Sequence, residues 1–560
     1  MSTAPITDAT PRSQPSLAAP LAVPVFRRIW LASLLSNFGL LIQGVGAAWA
    51  MVQMHAPADI VALVQTALML PSMLFAMLAG ALADMFDRRK VALAALGFAF
   101  VSAACLTLFA YAGLLSPPLI LMFCFMIGTG SALFSPAWQA SVAEQVPAET
   151  LPQAVALSSI SYNIARSLGP AIGGFVVAAA GAAAAFVVNA LFYLPMLIVM
   201  FAWRRLAMPA RLPPEGTVRA IVSGSRYVFH SPPLRVVMVR MAALGLAGGS
   251  IFALTPLVAS SLLKGGASSY GLLLGAMGVG SLIGALNISR MRRHLSTENN
   301  ITLGALALGA SLVVVAFSRN LPLSLLAMVG TGAFWTSSVT LFNISIQLAS
   351  PRWVAGRALA AYQTAITGGI AIGSWMWGTV AQGTSVATAM ALAGASVAAT
   401  ALLRFLLPIE DAEARDLDQA RLREIEVGLN LSGRSGPVAI QLEYRVDPEE
   451  ARAFYRAMQG VQPIRCRNGG YDWTIARDIA DPWQWVERFH CPTWHDYLRQ
   501  RDRLTREEQT KLDEAFAFHR GEGPPVVRRW LQRPYGSVRW REEARDEGLH
   551  EALQVPISLT

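Results

Sequence analysis

One long apolar segment of the chain ends in the stretch Gly80-Ala81-Leu82-Ala83-Asp84-Met85-Phe86-Asp87-Arg88-Arg89-Lys90. A partial copy ends another segment, 204 residues further on: Gly284-Ala285-Leu286 and, after five residues, Arg292-Arg293-His294. Two more landmarks recur at the same offset, since Pro147 and Gly174 match Pro351 and Gly378. A chain that repeats its landmarks at half its length is predicted to contain two related halves, as many membrane proteins do.

The composition separates an apolar part from a polar tail. The chain has 560 residues, of which 54% are hydrophobic and 14% charged, and its mean hydropathy is +0.45. Soluble proteins carry about 25% charged residues. Residues 1–407 contain 22 Lys and Arg against 8 Asp and Glu, whereas residues 408–560 contain 23 and 27. A net charge of +10 with this origin indicates membrane orientation rather than nucleic-acid binding, because the apolar part has no stripe of Arg and Lys interleaved with aromatic residues.

The apolar part contains twelve segments that are each long enough to cross a bilayer, which takes about 20 residues. They lie near 26–54, 60–83, 91–113, 117–139, 153–179, 182–203, 234–260, 268–289, 300–318, 321–345, 356–381 and 384–407. The sequence therefore predicts an all-α membrane protein with twelve transmembrane helices in two six-helix halves, residues 25–203 and 234–407. Residues 204–233 form the predicted cytosolic linker, and residues 1–24 a disordered lead-in without a signal peptide.

The basic residues predict the orientation. The loops after even-numbered segments, the linker and both flanks hold most of them: Arg27, Arg28, Arg88, Arg89, Lys90, Arg204, Arg205, Arg211, Arg290, Arg292, Arg293, Arg352 and Arg404. The opposite loops hold Lys264 and Arg319. Because cytoplasmic loops carry the excess of Lys and Arg, we expect both termini in the cytosol.

The polar tail has the pattern of a small α+β domain. After a charged linker, 408–436, strand-like alternation covers 438–446, 471–479, 484–490 and 526–533, and helical patterns cover 448–459 and 494–520. The order β-α-β-β-α-β predicts a cytosolic ferredoxin-like domain over 437–535, followed by a tail at 536–560.

The opening stretch resembles the signature between helices 2 and 3 of the major facilitator superfamily, Gly-x-Leu-Ala-Asp-Arg-x-Gly-Arg-Arg/Lys. It departs at Met85, where the family usually has Arg, and at Asp87, where it has Gly. The resemblance implies a latch for one state of an alternating-access carrier, formed by Gly80, Asp84, Arg88 and Arg89. Asp84 would face Arg88 or the N-terminus of a helix in the other half, helix 11 near Gly356-Arg357. The alternative is a positive loop in which Asp84 is merely solvated.

A second motif, Gly169-Pro170-Ala171-Ile172-Gly173-Gly174, falls in the fifth segment. It resembles the helix-5 pattern of exporters in this superfamily, and with Ser135-Pro136-Ala137-Trp138-Gln139 it is similar to the enterobactin-exporter-like branch. That resemblance implies a secondary transporter of the bacterial inner membrane that exports a siderophore-like or drug-like small molecule. A pliable fifth helix built on Gly169, Pro170, Gly173 and Gly174 would serve the movement; the alternative is a kinked packing interface.

Charged and polar side chains inside the segments are the candidates for substrate and proton contacts. Arg166 is interpreted as the only Lys or Arg well inside an apolar segment, so it should face a cavity or a partner, or brace the loop from the cytosolic end. Asp84 and Glu144 are the candidate proton carriers. The candidates for the substrate cavity are Asn37, Gln43, Trp138, Gln139, Asn343 and Gln363, although such groups also bond between helices.

The tail resembles the ferredoxin-like family that includes antibiotic-biosynthesis monooxygenases, in Tyr471-Asp472-Trp473 and in Trp494-His495-Asp496-Tyr497. Members of that family pair into dimers, so we expect dimerisation here. The sequence shows no nucleophile–base pair, metal cluster or nucleotide-binding loop, which predicts a non-enzymatic protein without cofactor or metal. The alternative function is a ligand-sensing or solute-modifying membrane protein whose C-terminal domain binds the ligand or performs the chemistry.

Overall fold

The structure is a computed structural model that describes residue 16 and residues 18–147, 150–203, 225–351, 354–409, 427–429 and 431–532. It divides into a membrane unit (1–218, 238–343 and 362–409) and a C-terminal unit (219–237, 344–361 and 410–560). The predicted lead-in lies mostly outside the described residues, as do most of the two linkers and the whole tail after 535.

The first half of the chain consists of five long helices, one of which has two arms. They are α1 (Pro24–Gln53), α2 (Ala58–Met85), α3 (Arg88–Tyr111), α4 (Pro117–Ser141) and α5 (Leu151–Ala202). Gly181 interrupts α5 with φ 81° and ψ 171°, a conformation that only glycine adopts readily. The break separates the fifth and sixth predicted segments.

A short helix, α6 (225–230), precedes the second half. The long helices that follow are α7 (Pro232–Leu257), α8 (Ala267–His294), α9 (Thr297–Phe317), α10 (Leu321–Leu348), α11 (Ala355–Gly383) and α12 (Val386–Ala399), with a last turn α13 (Leu403–Leu406). Among the described residues, ten helices are long and apolar enough to cross a membrane, counting both arms of α5 as one. α11 is outside this set.

Small residues bring the helices of the first half into close contact. Gly169 and Gly173 on the first arm of α5 pack on Leu41 and Ile42 of α1. On the second arm, Ala185 packs on Gly46 of α1. Because lipid is as apolar as leucine, close packing of this kind is what drives helices together in a membrane.

The C-terminal domain, defined here as elements β1 to β4, contains one four-stranded sheet. Its elements are β1 (Val438–Arg445), α14 (Ala451–Asn468), β2 (Tyr471–Arg477), β3 (Gln484–Cys491), α15 (Trp494–Asp502), α16 (Arg506–Phe516) and β4 (Val526–Leu531). All neighbouring strands are antiparallel, in the order β2-β3-β1-β4. Alternate residues of β1 (Val438, Ile440, Leu442 and Tyr444) form the core with the helices on one face of the sheet.

The helix predicted over 494–520 is wrong in one respect, because the structure has two helices there. Thr505 starts the second of them: its hydroxyl accepts the backbone N–H of Glu508, and the Glu508 carboxylate accepts the backbone N–H of Thr505. Such a reciprocal cap favours a new helix start over continuation of the previous helix.

Candidate functional site

The turn between α2 and α3 is built around Asp87, the residue at which the sequence departs from the superfamily signature. The Asp87 carboxylate accepts the backbone N–H groups of Arg89 at 2.9 Å and of Lys90 at 3.1 Å. Asp87 therefore caps the N-terminus of α3, where a carboxylate also interacts favourably with the helix dipole. The departure from glycine has a local structural role.

Replacing Asp87 with alanine should destabilise the start of α3, by about 1 kcal/mol for a lost N-cap. Replacement with asparagine, which retains an acceptor oxygen, should cost much less. Thermal unfolding of the purified full-length protein in detergent would compare the two variants. Equal losses for alanine and asparagine would contradict the capping role.

The two arginines of the turn bond to other helices of the first half. Arg88 forms an ion pair with Glu144, just beyond α4, with Nη1 and Oε1 2.8 Å apart. Arg89 donates from Nε to the Met200 carbonyl at 3.0 Å and from Nη2 to the Phe201 carbonyl, at the end of α5. These bonds tie the start of α3 to the ends of α4 and α5.

The predicted latch across the two halves also involves Gly80, Asp84 and the start of α11. The side chain of Asp84 lies outside the described part of the chain. Within the described part, a Cβ at Gly80 or at Gly356 would have no neighbour within 4 Å. The roles of Gly80 and Asp84 stay predictions, while Glu144 gains a described partner in Arg88.

The two halves meet closely along α5 and α8. Gly174 of α5 lies directly against Gly271 of α8, so that a methyl group on Gly174 would overlap the Gly271 Cα atom. Two turns further along α8, a methyl group on Gly278 would overlap the backbone of Ser167 on α5. Glycines at these positions allow the two backbones to touch.

The halves also meet along α2 and α11. The Thr66 hydroxyl donates to the Ala371 carbonyl at 2.7 Å, and the Ala58 backbone N–H donates to Gln382 Oε1 at 2.9 Å. Each pair combines the first part of α2 with the last part of α11. The described α2–α11 contacts therefore run from the end of the bundle at which α2 begins to the middle of both helices, where the Met73 side chain lies against Gly368.

The second sequence motif divides its glycines between the two sides of α5. Gly169 and Gly173 face α1, whereas Gly174 faces α8 of the other half. The first arm is helical through Pro170, and the non-helical residue inside α5 is Gly181. The close packing predicted for this motif is present, and its flexibility stays a prediction.

Arg166 is half-buried on the first arm of α5. Its guanidinium lies within electrostatic range of the Tyr362 hydroxyl on α11, and that hydroxyl donates to the Val339 carbonyl on α10 at 2.7 Å. Arg166 thus brings a positive charge near Tyr362 on α11, a helix of the second half.

The predicted cavity residues occupy different environments. Gln43 is fully buried and accepts a hydrogen bond from the Asn189 amide, which joins α1 to the second arm of α5. Trp138 is 9% exposed and stacks on Phe134. Gln139 and Gln363 are exposed, and Asn37 and Asn343 are half-buried. Gln43 therefore has a helix-to-helix bond, and a substrate role for the set stays a prediction.

Sequence reasoning missed a buried ion pair, and the interpretation of Arg166 as the only embedded cation is wrong. Arg240 lies within α7, is 2% exposed, and bonds from Nη1 to both carboxylate oxygens of Glu298 at 2.8 and 2.7 Å. The same guanidinium donates to the Leu407 carbonyl, and Glu298 accepts the Ile409 backbone N–H. The pair fixes the end of the membrane unit to α7 and α9.

Comparison with known proteins identifies the family. The transmembrane secretion effector family, part of the major facilitator superfamily, matches residues 15–535, and the chain belongs to it. The multidrug efflux pump Tap of Mycolicibacterium fortuitum is 26% identical over 341 residues, 59% of this chain and 83% of that protein. The enterobactin exporter EntS of Escherichia coli O1:K1 / APEC is 27% identical over 380 residues, 66% of this chain and 88% of that protein.

Solved structures support the fold. A D-xylose–proton symporter superposes with a TM-score of 0.57 at 14% identity, over 70% of this chain and 99% of its own. With ten described helices that are long and apolar enough to cross a membrane, the chain is a membrane transporter with several spans.

Proposed function

We propose that this protein is a secondary transporter that exports a siderophore-like or drug-like small molecule from the cytosol by alternating access, coupled to protons. The observation that carries the proposal is the distribution of contacts between the halves. The described hydrogen bonds between α2 and α11, at Ala58 and Thr66, lie in the half of α2 nearest its start, and the described contact of Met73 with Gly368 lies at the middle of both helices. Contacts between the halves that extend from one end of the bundle to its middle fit one of the two states that alternating access requires.

The proposed transmembrane count is twelve. Gly181 divides α5 into two arms of about 30 and 20 residues, each long enough to span a bilayer. α11 has 29 residues and completes the second set of six. Its polar residues Tyr362, Gln363 and Thr364 account for its lower hydropathy and suit a helix that faces a pathway.

The proposed orientation has both termini in the cytosol of a bacterium, across the inner membrane. The end at which α2 begins holds Lys264 and Arg319, whereas the other end holds the basic turn at 88–90 and Arg292 and Arg293. By the excess of positive charge, the latter end is cytosolic. The described hydrogen bonds between α2 and α11 then lie on the periplasmic side, which supports a state that is closed toward the periplasm.

The substrate class follows from the relatives and from the helices between the halves. Tap is a multidrug efflux pump and EntS an enterobactin exporter. Arg166 offers a positive charge, and Gln139 offers an exposed amide on α4, next to the Trp138 ring, which is 9% exposed. Mixed contacts of this kind favour an amphipathic solute over a bare ion.

Proton coupling rests on the acids at the cytosolic end. Changing both Asp84 to asparagine and Glu144 to glutamine should reduce efflux at least tenfold and flatten its pH dependence, because neither amide titrates. Efflux of ethidium and of a catecholate siderophore from loaded cells would measure this, with Glu449→Gln, which removes an exposed acid of the C-terminal domain, as the control. Unchanged efflux with unchanged pH dependence in the double variant would refute proton coupling through these residues.

The C-terminal domain is proposed to be ferredoxin-like, on its strand order and its β-α-β-β order at the start. The family match extends through it to residue 535. Pairing of two such domains would give the transporter a dimeric cytosolic part.

A further inference from the structure

Part of the connector between the two halves has one face covered. The connector segment is α6 with Ser231, and Ser231 is the only residue between α6 and α7. Tyr227, Val228 and Ser231 are 3%, 4% and 2% exposed, whereas Phe229 is 67% exposed. A six-residue helix with a covered face and an open face is packed against another part of the protein.

The C-terminal end of α14, in the C-terminal domain, contacts this connector segment. The Arg467 guanidinium lies over the Tyr227 ring, 5.4 Å from its centroid. Arg226 Nη2 lies 3.5 Å from the place a Cβ would take on Gly469, the residue that follows α14. Burial raises the pKa of the Cys466 thiol, and the nearby charge of Arg226 partly offsets that increase. Cys466 and Arg467 at the end of α14, and Gly469 just after it, thus lie close to the connector segment.

Arg467 is held in position from within the C-terminal domain. Its guanidinium pairs with the carboxylate of Glu508, whose side chain is 3% exposed. The amide of Asn468 donates to the same carboxylate at 3.1 Å, and Glu508 also caps α16 through Thr505. A cation fixed by buried charge-assisted bonds loses little side-chain entropy when it binds an aromatic ring.

We propose that the C-terminal domain acts as an in-built brake on transport, by binding the connector segment through Arg467 and Tyr227. The contact exists in the state that is closed at the end where α2 begins, and it stabilises that state. The half that starts at α7 has to move for the transport cycle to proceed, so the contact slows the departure from this state. A cation–π contact corresponds to a factor of about 2 to 30 in an equilibrium. The brake rests on the proposed transport function; the contact itself does not.

The contact is tested by cysteine labelling of the purified full-length protein, which needs no substrate. In a variant with the four native cysteines replaced, Val228→Cys should react with a maleimide at least tenfold more slowly than Phe229→Cys. Adding Tyr227→Leu should bring Val228→Cys to the rate of Phe229→Cys, whereas Tyr227→Phe, which retains the ring, should not. Rapid labelling of Val228→Cys beside an intact Tyr227, or slow labelling after Tyr227→Leu, would overturn the contact and the brake.

The brake is tested by efflux of ethidium from loaded cells. Tyr227→Leu and Arg467→Ala should each accelerate efflux about 2- to 30-fold. Tyr227→Phe and Arg456→Ala, which removes an exposed arginine from the same helix, should leave the rate unchanged. Unchanged or slower efflux in a variant with a released connector would overturn the brake. A wild type without efflux would refute the proposed function and the brake together, while the labelling result still decides on the contact.

Discussion

Replacing Gly174 with leucine is expected to abolish export while the protein still inserts and folds. The Gly174 backbone touches Gly271 of the opposite half, and any side chain there would overlap the Gly271 Cα atom. Overpacking of this kind costs about 1–3 kcal/mol, which shifts an equilibrium about 5- to 150-fold. The halves then no longer close at this end, and the state that takes up cytosolic substrate is depleted.

The measurement is ethidium efflux together with the amount of protein in the membrane. Gly97→Leu is the matched control, because a Cβ at Gly97 on α3 would have no described neighbour within 4 Å. Gly271→Leu should reproduce the loss, since it blocks the same contact from the other side. Normal efflux by Gly174→Leu, at normal membrane levels, would contradict the account of this interface.

Replacing Glu487 with alanine is expected to unfold the C-terminal domain. Glu487 is fully buried and accepts hydrogen bonds from Tyr444 Oη at 2.9 Å, Trp473 Nε1 at 3.0 Å and Arg465 Nε at 2.9 Å. Its loss would leave the guanidinium of Arg465, 8% exposed, without its described counter-ion. Removing one partner of a buried ion pair costs about 3–5 kcal/mol, a large part of the stability of a small domain.

The reactivity of Cys491 reports on this unfolding in the full-length protein. Cys491 is fully buried in the domain core, and burial raises the pKa of its thiol to about 12, so the folded domain reacts slowly with maleimides. With the other three cysteines replaced, Glu487→Ala should increase the labelling rate at least about 100-fold. The control Glu443→Ala removes a surface pair with Arg528 and should change little. Equal rates for both variants would contradict the buried network.

The fold was largely predictable because its signals are local and strong. Apolar length identifies the membrane helices, and the alternation of residues such as Val438, Ile440 and Leu442 identifies the strands. The break at Thr505 had a local signal as well, in the spacing of Thr505 and Glu508. That signal was outweighed by the helical pattern on both sides of it.

The site was less predictable because its contacts join distant parts of the chain. Arg88 could be assigned to the turn, but its partner Glu144 lies 56 residues away. Arg240 and Glu298 are 58 residues apart, and each resembles an ordinary flanking charge in the sequence. The contact of Tyr227 with Arg467 depends on how a linker packs on a separate domain, which no periodicity encodes.

Transport in oriented membrane vesicles tests the central claim most directly. Inverted inner-membrane vesicles that contain the protein, energised to pump protons inward, should accumulate ethidium or a catecholate siderophore. A protonophore and the Gly174→Leu variant should each abolish that accumulation. The account is contradicted if such vesicles accumulate no more solute than vesicles without the protein, across both classes, or if uptake occurs only in vesicles of the opposite orientation.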